Sequence, residues 1–332
     1  MEDNVELRHI RYLLAVIAQM GFRAAAEFLH TVQPNVSNHY KQFLDATGVH
    51  LFRQLPNGRI RVTEAGHAFE VMARDLLEAH HEMLSALVSI EHGEVRSLRF
   101  GCGPFVDAKL FRLACEIHRE MVPGCQLWPM RSDSVQVARE VAAGKIDMAL
   151  VAAPITDSNL HVEPIWRDPW LVCLPASHPL AGQSAIRPDQ LRNNLSVLID
   201  PQRHPAVHAI LMQHLEEAGI RLQEYSRASH PLEIQQMVKE GYGFALVSDG
   251  MELDSTLTTR PIVGVDWALE TAFVLNRQRH PKTVPVLLRL LKRRLAVMAQ
   301  PGHLPQSNQK KDPGRQPPPP ASQGPVQLSL LG

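Results

Sequence analysis

No apolar run in the sequence approaches the ~18 residues that a membrane-spanning helix needs, and nothing at its start reads as a signal peptide. Cysteine is scarce. The four present, Cys102, Cys115, Cys125 and Cys173, form no CxxC pair and read as the reduced thiols of a cytoplasmic protein. Cys102 reads as a small buried hydrophobe rather than a redox sensor. An excess of either charge is also lacking, since 34 Lys and Arg balance 34 Asp and Glu, so no polybasic arm or acidic tail dominates. No GxSxG occurs and no His or Cys lies in a nucleophile motif, so an enzyme is not expected. The length, 332 residues, leaves room for two or three domains with proper cores.

What is present is most concentrated between Phe22 and Gly48. Ala25, Ala26 and Leu29 give one short helix an apolar face; Val36, Tyr40, Phe43 and Leu44 do the same for a second. Pro34 lacks an amide proton and suits the first turn of that second helix, and Gly48 suits its C-cap. Small alanines let the two cross closely, the recipe of a helix-turn-helix whose second helix enters a DNA major groove. Its polar positions, Gln33, Asn35, Ser37, Asn38, His39, Lys41 and Gln42, are expected to face outward. Amides pair with adenine, and Lys with guanine or phosphate. An ordinary solvated helix pair would share this pattern.

The flanks add to it. A preceding amphipathic helix over 7–19 presents Leu7, Ile10, Leu14 and Ile17. Beyond Gly48, Leu51-Phe52-Arg53 and Arg59–Val62 read as two strands around the turn Pro56-Asn57-Gly58. That hairpin is a wing, and Arg53, Arg59 and Arg61 are placed to touch phosphate or the minor groove. From Met1 to Val62, seven basic residues (Arg8, Arg11, Arg23, Lys41, Arg53, Arg59, Arg61) face five acidic ones (Glu2, Asp3, Glu6, Glu27, Asp45), a difference of +2. His9, His30, His39 and His50 could add charge. Non-specific affinity should be modest and salt-sensitive, with specificity leaning on a dimer. Thr63 is an N-cap candidate for a long helix. Within it Ala65, Phe69, Met72, Leu76, Ala79, Met83, Ala86 and Ile90 alternate spacings of four and three, a heptad seam that predicts a homodimer. A helix packed only on its own domain is the alternative.

These residues carry a resemblance. Leu7-Arg8-His9, Phe22, Ala25-Ala26, Leu29-His30, Gln33-Pro34, Ser37, Gly48-Val49, Leu51-Phe52-Arg53 and Thr63-Glu64-Ala65-Gly66 together resemble the N-terminal domain of LysR-type transcriptional regulators. Departures occur where the family usually has Gly-Ser (here Met20-Gly21), Ser (Val32) and often Arg (Asn38). They bear on the base and phosphate contacts and leave the fold untouched.

From Ser97 the pattern alternates strand and helix: strand 98–101, helix 108–121, strand 125–129, helix 135–143 and strand 146–151, a parallel α/β unit. Gly101-Cys102-Gly103 lacks the third glycine of a dinucleotide fingerprint, and Asp107 would repel a pyrophosphate, so no such cofactor is expected. Residues 160–179 again resemble the LysR family, where such a segment crosses between two lobes. The resemblance implies a second lobe over 163–263, with strands at 196–199, 223–226 and 244–247 and helices at 206–218 and 232–240. Strand 270–275 and helix 284–298 return to the first lobe, making a hinge as in periplasmic binding proteins. The expected division is 1–62 winged helix-turn-helix, 63–92 linker and dimerisation helix, 93–299 two-lobed effector domain (lobe I 97–162 and 264–299, lobe II 163–263), and 300–332 a Pro- and Gln-rich disordered tail. Gln327–Gly332 looks like a peptide that docks on the replication sliding clamp.

Ligands bind outside the carboxyl ends of parallel strands. That selects Gly103, Pro104 and Phe105 after the first strand, and Ser132 and Ser134 at a helix N-terminus whose amides attract a carboxylate. By the resemblance, Ser134 matches a hydroxyl position that holds effectors. Asp200, with Gln202, is expected to face the same cleft from the other lobe, and with Asp133 to disfavour an anion nearby. A simple helix cap would use the same residues at 132–134. His204 and His208 share a helix spacing but have no third ligand, so no metal is expected. The expectation is a LysR-type regulator, dimeric or tetrameric, binding duplex DNA and a small effector. A two-lobed binding protein without DNA function is the alternative.

Overall fold

The structure, a computed structural model, describes residues 5–56 and 58–299. The chain divides into two units, Met1–Leu295 and Ala296–Gly332. The tail over 300–332 and the clamp-like peptide over 327–332 lie outside the described residues, as does Asn57.

The N-terminal elements are α1 (Leu7–Ala18), α2 (Phe22–Phe28), α3 (Gln33–Thr47), β1 (Phe52–Gln54) and β2 (Ile60–Val62). Their common core joins Leu13, Val16, Ala25, Val36, Phe43, Leu51, Phe52 and Ile60. The buried stripe of α1 is His9, Leu13, Val16 and Ile17; Leu7, Ile10 and Leu14 are only half-buried, a correction to the expected face. The helix is apolar on more than one side, so packing against α3 selects the stripe. Pro34 occupies the first turn of α3, and Gly48 ends it in the left-handed region at φ +69°. Met20 adopts φ +55°, a conformation that costs a side-chain-bearing residue. Its carbonyl accepts from Ile60 N (3.2 Å), tying the wing to the helix turn. The wing pairs Phe52 with Val62 and Arg53 with Arg61.

The long helix is α4 (Glu64–Glu91), capped where Thr63 Oγ1 accepts from Gly66 N at 3.1 Å. Its expected seam divides. Phe69 meets the ring of Phe43 (5.6 Å), Ala86 is buried, and Ile90 packs on the core of β3, α5 and α10 defined below. Met72, Leu76 and Met83 stay exposed, joined by Val71, Leu84, Leu87 and Val88.

The rest is one nine-stranded sheet with helices on both faces. The elements in order are β3 (Ser97–Cys102), α5 (Ala108–Met121), β4 (Gln126–Arg131), α6 (Ser134–Ala142), β5 (Met148–Ala152), β6 (Leu160–Pro175), α7 (Pro188–Arg192), β7 (Leu195–Ile199), α8 (Pro205–Glu217), β8 (Ser226–Ala228), α9 (Pro231–Lys239), β9 (Phe244–Ser248), β10 (Leu257–Arg260), β11 (Ala268–Asn276) and α10 (Thr283–Met298). Strand order is β4-β3-β5-β11-β6-β9-β7-β8, with β10 also on β6. β6 and β11 run antiparallel through the middle and join two lobes: β6 pairs with β11 on one side and with β9 and β10 on the other. Gly101 is where α6 approaches β3 so closely that a Cβ would lie 2.6 Å from Val137.

Several expected strand bounds shift; the strand expected at 146–151, for one, runs over Met148–Ala152. The strand expected at 223–226 begins only at Ser226, because polar Gln223 and Glu224 cannot fill a buried parallel ladder. The strand expected at 125–129 runs over Gln126–Arg131, since Cys125 N closes a turn on Val122 O (3.0 Å). Strand β10 had no counterpart in the sequence reading. Among the described residues, no helix is long and apolar enough to cross a membrane.

Candidate nucleic-acid interface and interlobe seam

On α3 the side chains of Gln33, Pro34, Asn35, Asn38 and Lys41 are exposed, and Ser37 is half-buried beside them. His39 is not in this set. It is buried, with its ring 4.2 Å from Tyr12 and 5.1 Å from His9, because its place on the helix turns it onto α1. That corrects its assignment as a DNA contact. Burial, then His9 and Arg8, hold its pKa below the usual histidine value, so it brings no charge to a phosphate backbone at neutral pH. Two outward amides are engaged within the protein. Asn35 Nδ2 donates to Thr31 Oγ1 (3.1 Å) and to Tyr12 OH (3.4 Å), while Gln42 Oε1 meets His9 Nε2 (2.9 Å). Tyr12 and Thr31, which the sequence reading did not single out, thus hold the recognition helix. Arg53 and Arg61 stand opposite each other on the wing, both exposed, and Arg59 is exposed at its tip.

The residues expected to line an effector cleft behave differently. Phe105 is buried, its ring centre 4.8 Å from that of His204 at the start of α8 in a T-shaped contact. Ser134 is buried, its Oγ accepting from Ala152 N (3.2 Å); a Cβ on Gly103 would lie 2.6 Å from that oxygen. Gly103, Phe105 and Ser134 therefore do not line an open cleft: the carboxyl ends of β3 and β5 pack on the first turn of α6, and α8 closes over Phe105. Pro104 is half-buried and Ser132 exposed. Asp200 accepts from Gln202 N (2.9 Å) and from Ser229 Oγ (3.3 Å), fixing its own loop. Across the seam Arg203 Nη1 donates to Asp133 Oδ2 at 2.9 Å. His204 and His208 diverge to Ser229 O (3.0 Å) and Tyr225 OH (2.9 Å). Cys102 is buried and its thiol is pushed up to about 12, which suits a packing role and not a reactive thiolate.

Open space at the seam lies elsewhere. A cavity of about 260 Å³ sits between Ala153 and Pro154 after β5, Val207 and Ile210 on α8, and Arg167 and Trp170 on β6. Its rim carries the pair Arg167–Asp266 (3.0 Å). Nearby on β6, opposite Leu269, is a group without a sequence signal: buried Asp168. Trp166 Nε1 donates to its Oδ1 (2.8 Å), and its Oδ2 has no partner among the described residues. Burial first, then Asp107 and Asp249, push this carboxyl up to about 6, against a downward pull from Trp166 and Lys109. Between pH 4 and 6 the folded chain therefore binds more protons here than the unfolded one, and Asp168 favours folding as pH falls. Asp168→Asn is expected to raise stability at pH 7.5 by about 2 kcal/mol, with the gain fading toward pH 4. Urea midpoints of both proteins across that range check it; parallel curves would contradict it.

Set beside known proteins, residues 7–67 match the profile of the bacterial regulatory helix-turn-helix protein, lysR family, and residues 91–296 that of the LysR substrate binding domain. The HTH-type transcriptional regulator BudR of Raoultella terrigena is 27% identical over 293 residues, covering 86% of this chain and 100% of that protein. The Hca operon transcriptional activator HcaR of Escherichia coli is 27% identical over 263 residues, 78% and 88% respectively. Full-length CbnR, solved with its target DNA, shares the fold at TM-score 0.54 and 18% identity, covering 88% of this chain and 99% of that one. Full-length BenM does so at 0.54 and 20%, covering 88% and 97%.

Proposed function

This chain belongs to the LysR family of transcriptional regulators, and from that premise we propose how its parts divide the work. Residues 1–62 grip duplex DNA through Gln33, Pro34, Asn35, Ser37, Asn38 and Lys41 on α3 and through Arg53, Arg59 and Arg61 on the wing. The observation that carries this reading is one exposed polar face on α3 beside an arginine-bearing hairpin on the same core. Residues 63–92 pair with a second copy along Met72, Leu76 and Met83, giving a homodimer, or a tetramer, whose two heads read a dyad-symmetric site. Residues 93–299 take a small effector between their lobes, 97–162 with 264–299 and 163–263. The supporting observation is the cavity that Ala153, Pro154 and Arg167 line together with Val207 and Ile210 of α8; of the other expected effector contacts, Ser132 is exposed and Pro104 half-buried.

An effector acts only through a difference in affinity between lobe arrangements. The Arg203–Asp133 pair favours the arrangement seen here. Arg289 on α10 reaches Asp75 (2.8 Å) and Glu82 (3.2 Å) on α4, so lobe position has a direct contact with the helix that carries the DNA heads. The protein works in the cytoplasm, and the segment 327–332 docks on a sliding clamp; that last reading rests on the peptide's sequence alone.

The test of the DNA site is the double variant Gln33→Ala, Ser37→Ala. Each lost base contact is worth about 1–3 kcal/mol, so binding to a selected duplex is expected to fall at least tenfold while sedimentation shows an unchanged oligomer. An unchanged footprint would remove both residues from the interface.

A further inference from the structure

We propose that the reading head of α3 is directed at adenine–thymine pairs, with Asn38 on the adenine edge and Val32 against a thymine methyl group. The proposal rests on the DNA-binding reading above and adds the class of base pair.

Direct readout follows the side chains that reach the groove unengaged. Arginine, the usual partner of guanine, is absent from α3 altogether. The outermost stripe of the helix is Pro34, Asn38, Lys41 and Asp45, all exposed. Of the four amides near it, Asn35 and Gln42 are held by Tyr12, Thr31 and His9. The side-chain amides of Gln33 and Asn38 make no hydrogen bond to any described residue. Asn38 stands in the middle of the stripe, and an asparagine there offers one donor and one acceptor, the complement of adenine N7 and N6. Lys41 and Asp45 lie one and two turns further along, beyond the N-terminal residues that reach bases in such helices.

Val32 supplies a second, independent observation. It is the residue before α3, in extended conformation; its carbonyl accepts from Asn35 N (3.0 Å), but its side chain makes no capping hydrogen bond. A hydroxyl or carboxamide there would stabilise the helix start; valine does not. Its side chain is 66% exposed, beside exposed Pro34, and belongs to no core cluster. The fold thus forgoes a cap and gains no packing from this β-branched side chain. On the major-groove face the thymine C5-methyl is the apolar group that such a side chain can meet.

The experiment uses the full chain and a randomised duplex pool. Wild type and Asn38→Arg each select from the pool, and the enriched motifs are sequenced. The expected result is an A·T pair in the wild-type motif at the position that Asn38→Arg converts to G·C, with at least a tenfold swing in preference. In the wild-type duplex, thymine-to-uracil replacement is then scanned base by base. One replacement should weaken wild-type binding about threefold and leave Val32→Ser binding unaffected, while Val32→Ser melts no lower than wild type. A G·C pair at the Asn38-dependent position, no change of motif in Asn38→Arg, or uracil penalties shared by Val32→Ser overturns the proposal alone. A pool from which wild type enriches nothing overturns the DNA-binding reading together with it.

Discussion

Gly66→Ala is expected to unfold the winged module or tear it from α4. A Cβ at this position would lie 2.0 Å from Leu51 O, 2.6 Å from Val62 Cγ1 and 3.0 Å from Leu51 C. Retreat is blocked, because Leu51 O also accepts from Thr63 N at 3.0 Å and the Leu51 side chain is fully buried. Moving that carbonyl breaks the turn that starts the long helix, so the cost should exceed ~3 kcal/mol, at the upper end for overpacking. A melt of the variant should show the effector domain's transition with an early loss of the N-terminal one, and DNA binding should vanish. A variant that melts and binds like wild type would mean the helix start is not packed as described.

The second large effect concerns association. α4 leaves Val71 72% exposed and Met72 64% exposed, with Leu76 and Met83 further along the same helix. Contiguous apolar surface of this kind on a helix is the mark of a partner face. Leu76→Lys with Met83→Lys is expected to yield a monomer by sedimentation equilibrium. Binding to a two-half-site duplex should fall at least a hundredfold, because the second head no longer benefits from a high local concentration. Neither residue belongs to a hydrophobic core of its own protomer, so the fold should survive. An intact dimer would move the interface elsewhere.

How much of this was legible in the sequence depended on how local its causes are. Helix α5 occupies the expected Ala108–Met121, and the structure adds its cap, Asp107, whose carboxylate accepts from Lys109 N (2.7 Å). Pro34, Gly48 and Thr63 marked helix ends through their own backbone chemistry. Met20 stands at positive φ, a conformation that favours glycine, so the departure visible in the sequence at this position is one the local backbone opposes. His39 misled because its side chain is polar while its helical position points at Tyr12, and only the crossing of α1 over α3 decides that. Phe105 and Ser134 misled for a related reason. The rule that ligands gather at strand ends locates a seam, whereas the burial of Phe105 is set by an approach of α8 that lies far along the chain, and that of Ser134 by the ends of β3 and β5, where Ala152 N donates to its hydroxyl. Asp168 carried no signal, for its environment is assembled from Asp107, Trp166 and Asp249.

At the centre stands a winged head that binds duplex DNA. Its most direct test is fluorescence anisotropy of the purified full chain on a labelled duplex selected by the protein, titrated from about 50 to about 300 mM salt. Binding is expected at low salt, with log affinity falling linearly against log salt, and a slope that shrinks by about one in Arg53→Ala. No binding to that duplex or to sheared genomic DNA at the lowest salt, or binding indifferent to salt and to Arg53, would contradict it.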